Sequence, residues 1–256
     1  MSGPNKELFD VNFKDWRSDP EQLYNIDKIP NPVLRATHRQ SKKRLLAYAN
    51  SQLSKALDIN TLTIGFARRA ATYKRAQLIF KDVDRLIDIG KGKIQIIFSG
   101  KAHPKDEGGK SLIKSIVKSS KYFTGHIKII YLENYNMWLG RLITSGVDVW
   151  LNTPLRPNEA SGTSGMKASL NGVPNLSVLD GWWSEGCIDG VNGWAVGNPN
   201  EISDESDADH LYDLIENNVI PSYYGDKDDW STMMKESIKT GISYTSHRMV
   251  TDYNNQ

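Results

Sequence analysis

The amino-acid sequence predicts an α/β fold built on a doubly wound, mainly parallel sheet. Short β-rich runs alternate along the chain with segments of helical periodicity, an order typical of parallel sheets. Several of these runs are apolar at nearly every position, as strands covered on both faces by helices require. Polar and basic residues follow several of the runs, at the edge where parallel sheets bind ligands.

The first 58 residues are predicted to flank the sheet, which is assigned to residues 59–256. Residues 1–35 contain several prolines and are expected to form irregular loops and short turns. A long helix is predicted over 37–57 because apolar residues recur there at helical spacing. These residues are Leu45, Leu46, Ala49, Leu53 and Leu57.

Six strands are predicted after residue 58. They lie at 61–67, 93–100, 126–134, 147–152, 175–180 and 192–197. Helical patterns separate most of them, at 73–88, 107–122, 136–146 and 163–171. An acidic segment, 201–209, begins a helix that runs to about 219, and its carboxylates are interpreted as a solvated first turn. The tail, 241–256, shows no strong pattern.

Composition and charge exclude several classes of function. The 256 residues carry 32 basic and 30 acidic side chains, so no basic field indicates nucleic acid. One cysteine rules out an intrachain disulfide, and the five histidines do not fall at metal-ligand spacing. No apolar run approaches the ~18 residues that cross a bilayer, and the first residues, MSGPNKELFD, contain no apolar h-region. We therefore expect a cytoplasmic, metal-free protein with neither nucleic-acid nor membrane partners.

A basic segment, GFARRAATYKRA (65–76), follows the first predicted strand. Its cations are Arg68, Arg69, Lys74 and Arg75. Guanidinium and ammonium groups at the carboxyl end of a strand are suited to phosphate. Four cations at a helix start also oppose the helix dipole, so an anionic partner is expected. A solvated helix start is the alternative interpretation.

Two further strand ends carry polar residues but give weaker signals. FSGKAHP ends the second strand, and its His103 is expected to pack or hydrogen-bond within a loop. Glu133, Asn134 and Tyr135 follow the third strand. Buried polar groups at such a position need partners, and a ligand can supply them.

The segment RPNEASGTSGMKASLNG (156–172) places a lysine among small residues at the start of a predicted helix. Ser161 or Thr163 is expected to cap this helix, and Gly162 allows the backbone to approach a ligand. Lys167 lies one turn in. Two interpretations stay open: a lysine at a pocket rim, or an amine that joins the aldehyde of a flat cofactor whose phosphate lies at the helix N-terminus.

These motifs together resemble the α-glucan (glycogen, starch, maltodextrin) phosphorylases. RPNEASGTSGMKASLNGVPNLSVLDGWWSEG resembles the pyridoxal-phosphate lysine segment of that family. GFARRAATYKR, FSGKAHP, IYLENY and NGWAVG match in the family order, over roughly residues 60–200. The string E-A-S-G-T-x-x-M-K is highly specific, and the TSGM and GWWSEG wording is similar to the short bacterial and archaeal branch.

The resemblance implies roles for the residues around the lysine. Lys167 matches the residue that forms a Schiff base with pyridoxal 5′-phosphate. Glu159 matches a carboxylate that binds glucose hydroxyls. Ser161 and Gly162 match backbone groups that contact the sugar, and Gly162 and Thr163 lie where the cofactor phosphate is held.

Roles are also implied at the other strand ends. Arg69 and Lys74 match the pair that binds the substrate phosphate. Arg68 stands where the animal enzymes have a lysine near the cofactor phosphate, so the charge is kept. Tyr135 matches a tyrosine of the cofactor pocket.

The reaction implied by the resemblance is phosphorolysis with retention. Orthophosphate would cleave the terminal bond of an α-1,4-glucan and give glucose 1-phosphate. The cofactor 5′-phosphate would exchange a proton with the substrate phosphate, while Arg69 and Lys74 stabilise its charge. Lys167 would then be an anchor and not a base.

The resemblance covers only the C-terminal half of a two-domain glycosyltransferase B architecture. It implies that residues 59–256 form a Rossmann-like domain that binds pyridoxal phosphate and phosphate. The family's N-terminal half, which supplies much of the glucan site, would be a partner. We expect the chain to bind the cofactor but to turn over glucan poorly or not at all by itself.

Three other functions compete with this interpretation. A nucleotide-sugar glycosyltransferase of the same architecture, similar to glycogen synthase, would bind no pyridoxal phosphate. A half-enzyme retained as a non-catalytic subunit would act only through a partner. A dinucleotide-binding protein is disfavoured because no GxGxxG follows a strand, and GKGK at 90–93 has the wrong spacing.

Overall fold

Six parallel strands form one sheet at the centre of the protein. The computed structural model describes residues 1–52, 56–198 and 200–255. The strands are β1 (Leu62–Ala67), β2 (Ile94–Ser99), β3 (Lys128–Leu132), β4 (Val149–Asn152), β5 (Asn175–Val178) and β6 (Gly193–Val196). Each lies within the range predicted from the sequence, which confirms the α/β fold class.

The strand order is β3-β2-β1-β4-β5-β6. The chain therefore builds the sheet outward from β1, returns to the middle at β4, and then builds outward in the opposite direction. Ile64 pairs with Val149 where the two central strands meet. Crossovers after β1 and β4 leave in opposite directions, and this reversal opens a crevice beyond their carboxyl ends.

The sheet has a hydrophobic core on each face because successive strand side chains point in opposite directions. Phe98 belongs to one cluster and Ile97 to the other, and both are buried. On β4, Leu151 belongs to the same cluster as Phe98, and Trp150 belongs to the same cluster as Ile97. Burial on both faces explains why these runs are apolar at nearly every position.

Helices cover both faces of the sheet. They are α1 (Gly3–Asn12), α2 (Asn31–Ser51), α3 (Val83–Gly90), α4 (Glu107–Ser120), α5 (Met137–Gly146), α6 (Thr163–Ser169), α7 (Trp183–Gly186), α8 (Asp204–Leu214), α9 (Ile220–Tyr224), α10 (Lys227–Ile242) and α11 (Ser246–Asn254). A π-helical turn, Ile215–Val219, joins α8 to α9. Helices α4, α5, α6 and α8 confirm predicted segments.

The prediction of irregular structure before residue 36 is wrong. Pro4 lies in the first turn of α1, Pro20 starts a 3₁₀ helix over Pro20–Lys28, and Pro32 lies in the first turn of α2. Proline fits a first turn because its missing N–H has no helical partner there. These prolines therefore begin helices.

Helix α2 is displaced from its predicted range. It starts at Asn31, six residues before residue 37, and ends at Ser51. Leu45, Leu46 and Ala49 are buried as expected. Leu53 lies outside the described residues, and Leu57 is buried beyond the helix end. The division into 1–58 and 59–256 stays a prediction.

The helix predicted over 73–88 is wrong before residue 83, where α3 begins. Two 3₁₀ turns, Thr72–Lys74 and Leu78–Phe80, precede α3. Arg75 adopts a left-handed conformation with φ 44°, which interrupts an α-helix. The tail is ordered where no pattern was found: Thr245 caps α11 through a bond from the Arg248 amide.

No helix of the described residues is both long enough and apolar enough to cross a membrane.

Candidate functional site

The crevice between β1 and β4 is bridged by one arginine. Arg68 directly follows β1, and its backbone N–H donates to Ser99 O on β2 at 3.1 Å. Its guanidinium donates to Oδ1 of Asn152, the last residue of β4. The carboxyl ends of the two central strands are thus joined where the crossovers diverge.

A buried ion cluster forms around Arg68, and we call it the Glu159 cluster (Arg68, Lys74 and Glu159). Arg68 Nη2 donates to Glu159 Oε2 at 2.6 Å, and Lys74 Nζ donates to the same oxygen. The three side chains are each no more than 8% exposed. The anionic partner expected for the basic segment is therefore Glu159, which lies 85 residues beyond Lys74 in the chain.

Electrostatics keep Glu159 charged. Burial acts to raise the pKa of this carboxyl, but Lys74 and Arg68 act more strongly together, so the pKa lies below its usual range. Hydrogen bonds to Glu159 among the described residues involve Oε2 and leave Oε1 without a protein donor. The carboxylate therefore holds two cations in place and keeps one oxygen for another hydrogen-bond donor.

The backbone around Glu159 rests on the turn after β5. The Glu159 N–H donates to Asp180 Oδ2 at 2.9 Å, and the Trp182 N–H donates to Ser161 O at 2.9 Å. Gly181 adopts φ 56°, and a Cβ at this position would lie 2.6 Å from Ser161 O. A glycine is required here because the two backbone segments approach too closely for a side chain.

Gly162 caps α6. It has φ 84° and ψ 44°, and no side chain caps the helix. The predicted cap by Ser161 or Thr163 is therefore wrong: Thr163 is already the first helical residue and is exposed. A left-handed residue allows the chain to turn sharply into α6, and glycine adopts this conformation without steric cost.

Lys167 is exposed on the first turns of α6. Its carbonyl accepts a hydrogen bond from Asn171 Nδ2 at 2.7 Å, which stabilises the short helix. Its ammonium has no ion-pair partner within the described ranges. The amine is therefore accessible to a ligand, in agreement with either interpretation of the sequence.

Arg69 and Lys74 meet at Tyr73. Lys74 Nζ lies 4.5 Å from the centroid of the Tyr73 ring. Hydrogen bonding to Lys74, with a weaker contribution from Arg69, lowers the pKa of the Tyr73 phenol. Arg69 itself is exposed. The two residues predicted to bind substrate phosphate thus both act on one phenol, and Lys74 also belongs to the Glu159 cluster.

Tyr135 stands at the same edge of the sheet. A Cβ on Gly140 would lie 2.8 Å from the Tyr135 hydroxyl, so the missing side chain of Gly140 allows the ring to pack on α5. Burial raises the pKa of this phenol, and the nearby charge of Arg68 partly opposes the increase. Tyr135 is therefore a neutral hydroxyl close to Arg68.

Arg75 lies outside the Glu159 cluster. Its guanidinium binds Asp207 at 2.6 Å and Asp204 at 2.8 Å, and it donates to the carbonyls of Thr153 and Pro154. The interpretation of the acidic segment as a solvated turn is wrong for Asp207, which is buried. Arg75 therefore links the loop after β4 to α8 through these contacts.

Sequence reasoning missed Tyr73, Asn152 and Asp180. Asn152 ends β4, and Asp180 stands two residues beyond β5. Both occupy the strand-end positions at which parallel sheets place ligand contacts, and this signal could have found them. Nothing in the spacing of Tyr73 distinguishes it from a surface aromatic residue.

The basic residues of the crevice are suited to an anionic ligand, and the exposed amine of Lys167 is suited to an aldehyde. Arg68, Arg69 and Lys74 supply positive charge, and the backbone turn at Gly162 leads into α6. Lys167 supplies an exposed primary amine that no carboxylate of the described residues neutralises. Amines attack aldehydes, and guanidinium groups bind phosphate oxygens.

Comparisons with known proteins relate this chain to carbohydrate phosphorylases. A family profile for carbohydrate phosphorylase matches residues 7–185. The chain is 46% identical to a maltodextrin phosphorylase of Thermococcus litoralis, over 93% of this chain and 31% of that protein. It is 40% identical to a glycogen phosphorylase of Aquifex aeolicus, over 98% and 40%, and 44% identical to one of Mycobacterium tuberculosis, over 78% and 25%. The chain thus spans between a quarter and two fifths of these relatives' lengths, from 25% to 40%.

Proposed function

Because the chain belongs to the carbohydrate phosphorylase family, we propose that it is the C-terminal catalytic part of an α-glucan phosphorylase. The reaction transfers the terminal glucosyl unit of an α-1,4-glucan to orthophosphate and releases glucose 1-phosphate with retention. The observation that carries this proposal is the Glu159 cluster, which gathers two cations and a carboxylate at the crevice beyond β1 and β4.

Charge balance supports a phosphate at this place. The positive charges of Arg68, Arg69 and Lys74 outnumber the single negative charge of Glu159. Anions such as phosphate groups are therefore attracted to this place. Arg69 and Lys74 would bind the phosphate, since Arg69 is exposed and Lys74 lies beside the same phenol.

We propose that the cofactor is pyridoxal 5′-phosphate and that Lys167, which is exposed on α6, is its attachment point. Lys167 would attach it through its accessible amine, and Gly162, Thr163, Arg68 and Tyr135 would hold its phosphate and ring. When bound, the cofactor supplies a second phosphate group that serves as acid and base towards the substrate phosphate.

The protein side chains contribute charge and orientation. Arg69 and Lys74 would neutralise the substrate phosphate, so that it can stand beside the positive charge that develops on the glucosyl carbon. Glu159 Oε1, which has no donor among the described residues, would accept a hydrogen bond from a glucose hydroxyl. Ser161 and Gly162 would contact the sugar through backbone groups. Lys167 would act as an anchor.

A second candidate is a cofactor- and phosphate-binding part that depends on an N-terminal phosphorylase part for its glucan site. The residues given span no more than 40% of the first relatives, and we propose that such an N-terminal part completes the glucan site. In this case the chain binds cofactor and phosphate by itself and becomes an efficient enzyme only with that partner.

A phosphorolysis assay tests the proposed function. The full chain is incubated with maltodextrin and orthophosphate, with and without pyridoxal 5′-phosphate, and with and without a separately produced N-terminal part of a relative. Glucose 1-phosphate is expected to form only with the cofactor and to increase strongly when the N-terminal part is added. Product formed from a nucleotide sugar without the cofactor would instead assign the chain to the glycosyltransferase alternative.

Replacing Glu159 by glutamine is expected to strengthen orthophosphate binding about tenfold, because a charged competitor for Lys74 and Arg68 is removed. Its lowered pKa keeps Glu159 charged, so the difference should persist at any pH above the usual range of a glutamate side chain and be lost only as the pH falls through the lowered value. Isothermal titration calorimetry with orthophosphate measures the effect.

The matched control is Glu133→Gln, the same change at an exposed position just beyond β3. It should leave the affinity for orthophosphate unchanged. An affinity in Glu159→Gln that equals or falls below that of the parent chain would contradict the competition between carboxylate and phosphate.

A further inference from the structure

A second cavity lies at the opposite edge of the sheet from the Glu159 cluster. It encloses about 500 Å³ between α2, residues 59–60 and the α9–α10 segment, and we call it the amino-edge cavity. Asp148, which precedes β4, forms part of its wall. Because β1 has six residues, strand geometry separates the two edges by roughly 20 Å.

Aromatic side chains form one wall of the amino-edge cavity. Tyr223 packs edge-on against Tyr224, with ring centroids 5.0 Å apart, and against Trp230 at 5.2 Å. Trp230 is buried, Tyr223 is half-buried and Tyr224 is exposed. The wall therefore extends from the interior to the surface, and it presents ring edges and faces on which a flat ligand can pack.

The charged residues of the wall fall into two groups. Lys42 and Asp148 form a buried ion pair, and Arg35 pairs with Asp228 at 2.8 Å. Arg39 and Lys227 differ, because their hydrogen bonds go to neutral groups.

Arg39 donates to Asn60 Oδ1 at 3.0 Å, and Lys227 Nζ donates to Tyr223 O at 2.5 Å. Lys227 also lies 5.3 Å from the Tyr223 ring centroid. Neither cation has a carboxylate partner within the described ranges. The cavity therefore carries positive charge that no described side chain neutralises, next to aromatic rings.

The volume and the lining residues of the amino-edge cavity are typical of a ligand-binding site. Small-molecule sites commonly enclose about 300–1,000 Å³ and combine an apolar wall with a few polar groups. We propose that the amino-edge cavity binds a small anion that carries a flat ring, such as an aryl phosphate or an aryl carboxylate. The ring packs against Tyr223 and Tyr224, and the anionic group binds Arg39 and Lys227. The site is separate from the crevice and does not depend on the proposed catalytic function.

Calorimetry with phenyl phosphate tests this site on the full chain. The parent chain is expected to show saturable binding that persists in Arg69→Gln, a change in the crevice. Arg39→Gln and Lys227→Gln should each weaken this binding about tenfold. Ala36→Trp should abolish it, because Ala36 is exposed on α2 and lines the cavity, so that a large side chain enters from the surface.

The control is Lys43→Gln, which removes a positive charge from the same helix outside the cavity lining and should not change the affinity. Benzoate distinguishes a carboxylate from a phosphate as the preferred anion, and binding of either supports the site. In the Arg69→Gln chain, orthophosphate and phenol should bind at least tenfold more weakly than phenyl phosphate, as each lacks one half of the ligand.

Three results would overturn the proposal: no saturable binding of either aryl anion, binding that is lost in Arg69→Gln but kept in Ala36→Trp, or orthophosphate that binds this cavity as tightly as phenyl phosphate. Circular dichroism verifies the fold of each variant. If Ala36→Trp does not fold, unchanged affinity in Arg39→Gln and Lys227→Gln is sufficient to reject the site.

Discussion

A Lys167→Ala chain is expected to retain no pyridoxal 5′-phosphate after borohydride reduction, whereas the parent chain retains one equivalent at Lys167. The amine of Lys167 is exposed and unneutralised by any described carboxylate, so it is available to the cofactor aldehyde. Lys167→Arg should behave like alanine, because a guanidinium keeps the charge but is not an amine nucleophile at neutral pH. This comparison separates attachment from electrostatic attraction.

Peptide mass spectrometry after reduction locates the adduct. Lys118→Ala is the matched control, since Lys118 is exposed at the far end of α4, and it should keep the full equivalent. An adduct of undiminished stoichiometry in Lys167→Ala, or a parent chain whose Lys167 peptide stays unmodified, would refute the cofactor assignment.

Replacing Asp148 by alanine is expected to lower the free energy of unfolding by about 3–5 kcal/mol. Asp148 accepts hydrogen bonds from Lys42 and from the Thr63 N–H at 2.8 Å, and His38 Nε2 lies 3.1 Å from Oδ1. Without the carboxylate, the buried ammonium of Lys42 loses its only ionic partner among the described residues. Thermal unfolding followed by circular dichroism should show a midpoint lower by roughly 10 °C.

The pH dependence of this effect has a definite sign. Burial acts to raise the pKa of Asp148, but Lys42 and His38 together lower it by more than burial raises it. The pKa in the folded protein therefore lies below the usual value. The stabilisation is therefore complete above the unfolded pKa of about 4 and is lost as the pH falls through the folded value. The difference between parent and variant should shrink below pH 4.

Asp88→Ala is the control for Asp148→Ala, because Asp88 is exposed and should change stability by less than about 0.5 kcal/mol. The double variant Asp148→Ala/Lys42→Met should recover part of the lost stability, since it also removes the buried ammonium that has no carboxylate partner after the first substitution. A single variant that unfolds within a degree of the parent would show that the buried pair contributes little.

The strands were predictable because burial on both faces leaves a local pattern. Ile96, Ile97 and Phe98 are apolar in succession since each contacts one of two cores. The helix starts before residue 36 were mispredicted, as a proline in a first turn and a proline in a loop have the same local sequence. The helix predicted through Arg75 is interrupted because this residue has a left-handed backbone. Its ion pairs with Asp204 and Asp207, which are distant in the sequence, help to stabilise that conformation.

The candidate site shows a similar limit. The motif around Lys167 was visible because its residues are consecutive, and the basic residues after β1 were visible for the same reason. The pairing of Arg68 with Glu159 joins residues 91 positions apart, and only the folded chain brings them together. The sequence indicated that an anion was needed but contained no local signal for its identity.

Gly181 shows how a position without any chemical role can still tolerate no replacement. Its Cα lies against the backbone of residues 159–161, and an added Cβ would come within 2.6 Å of Ser161 O and 3.0 Å of Glu159 O. Any other residue would therefore have to displace the segment that carries Glu159, although residue 181 belongs to neither ion pair of the Glu159 cluster. Mutational sensitivity at this turn is thus a consequence of backbone spacing, and it would be misread if it were taken as a sign of direct ligand contact.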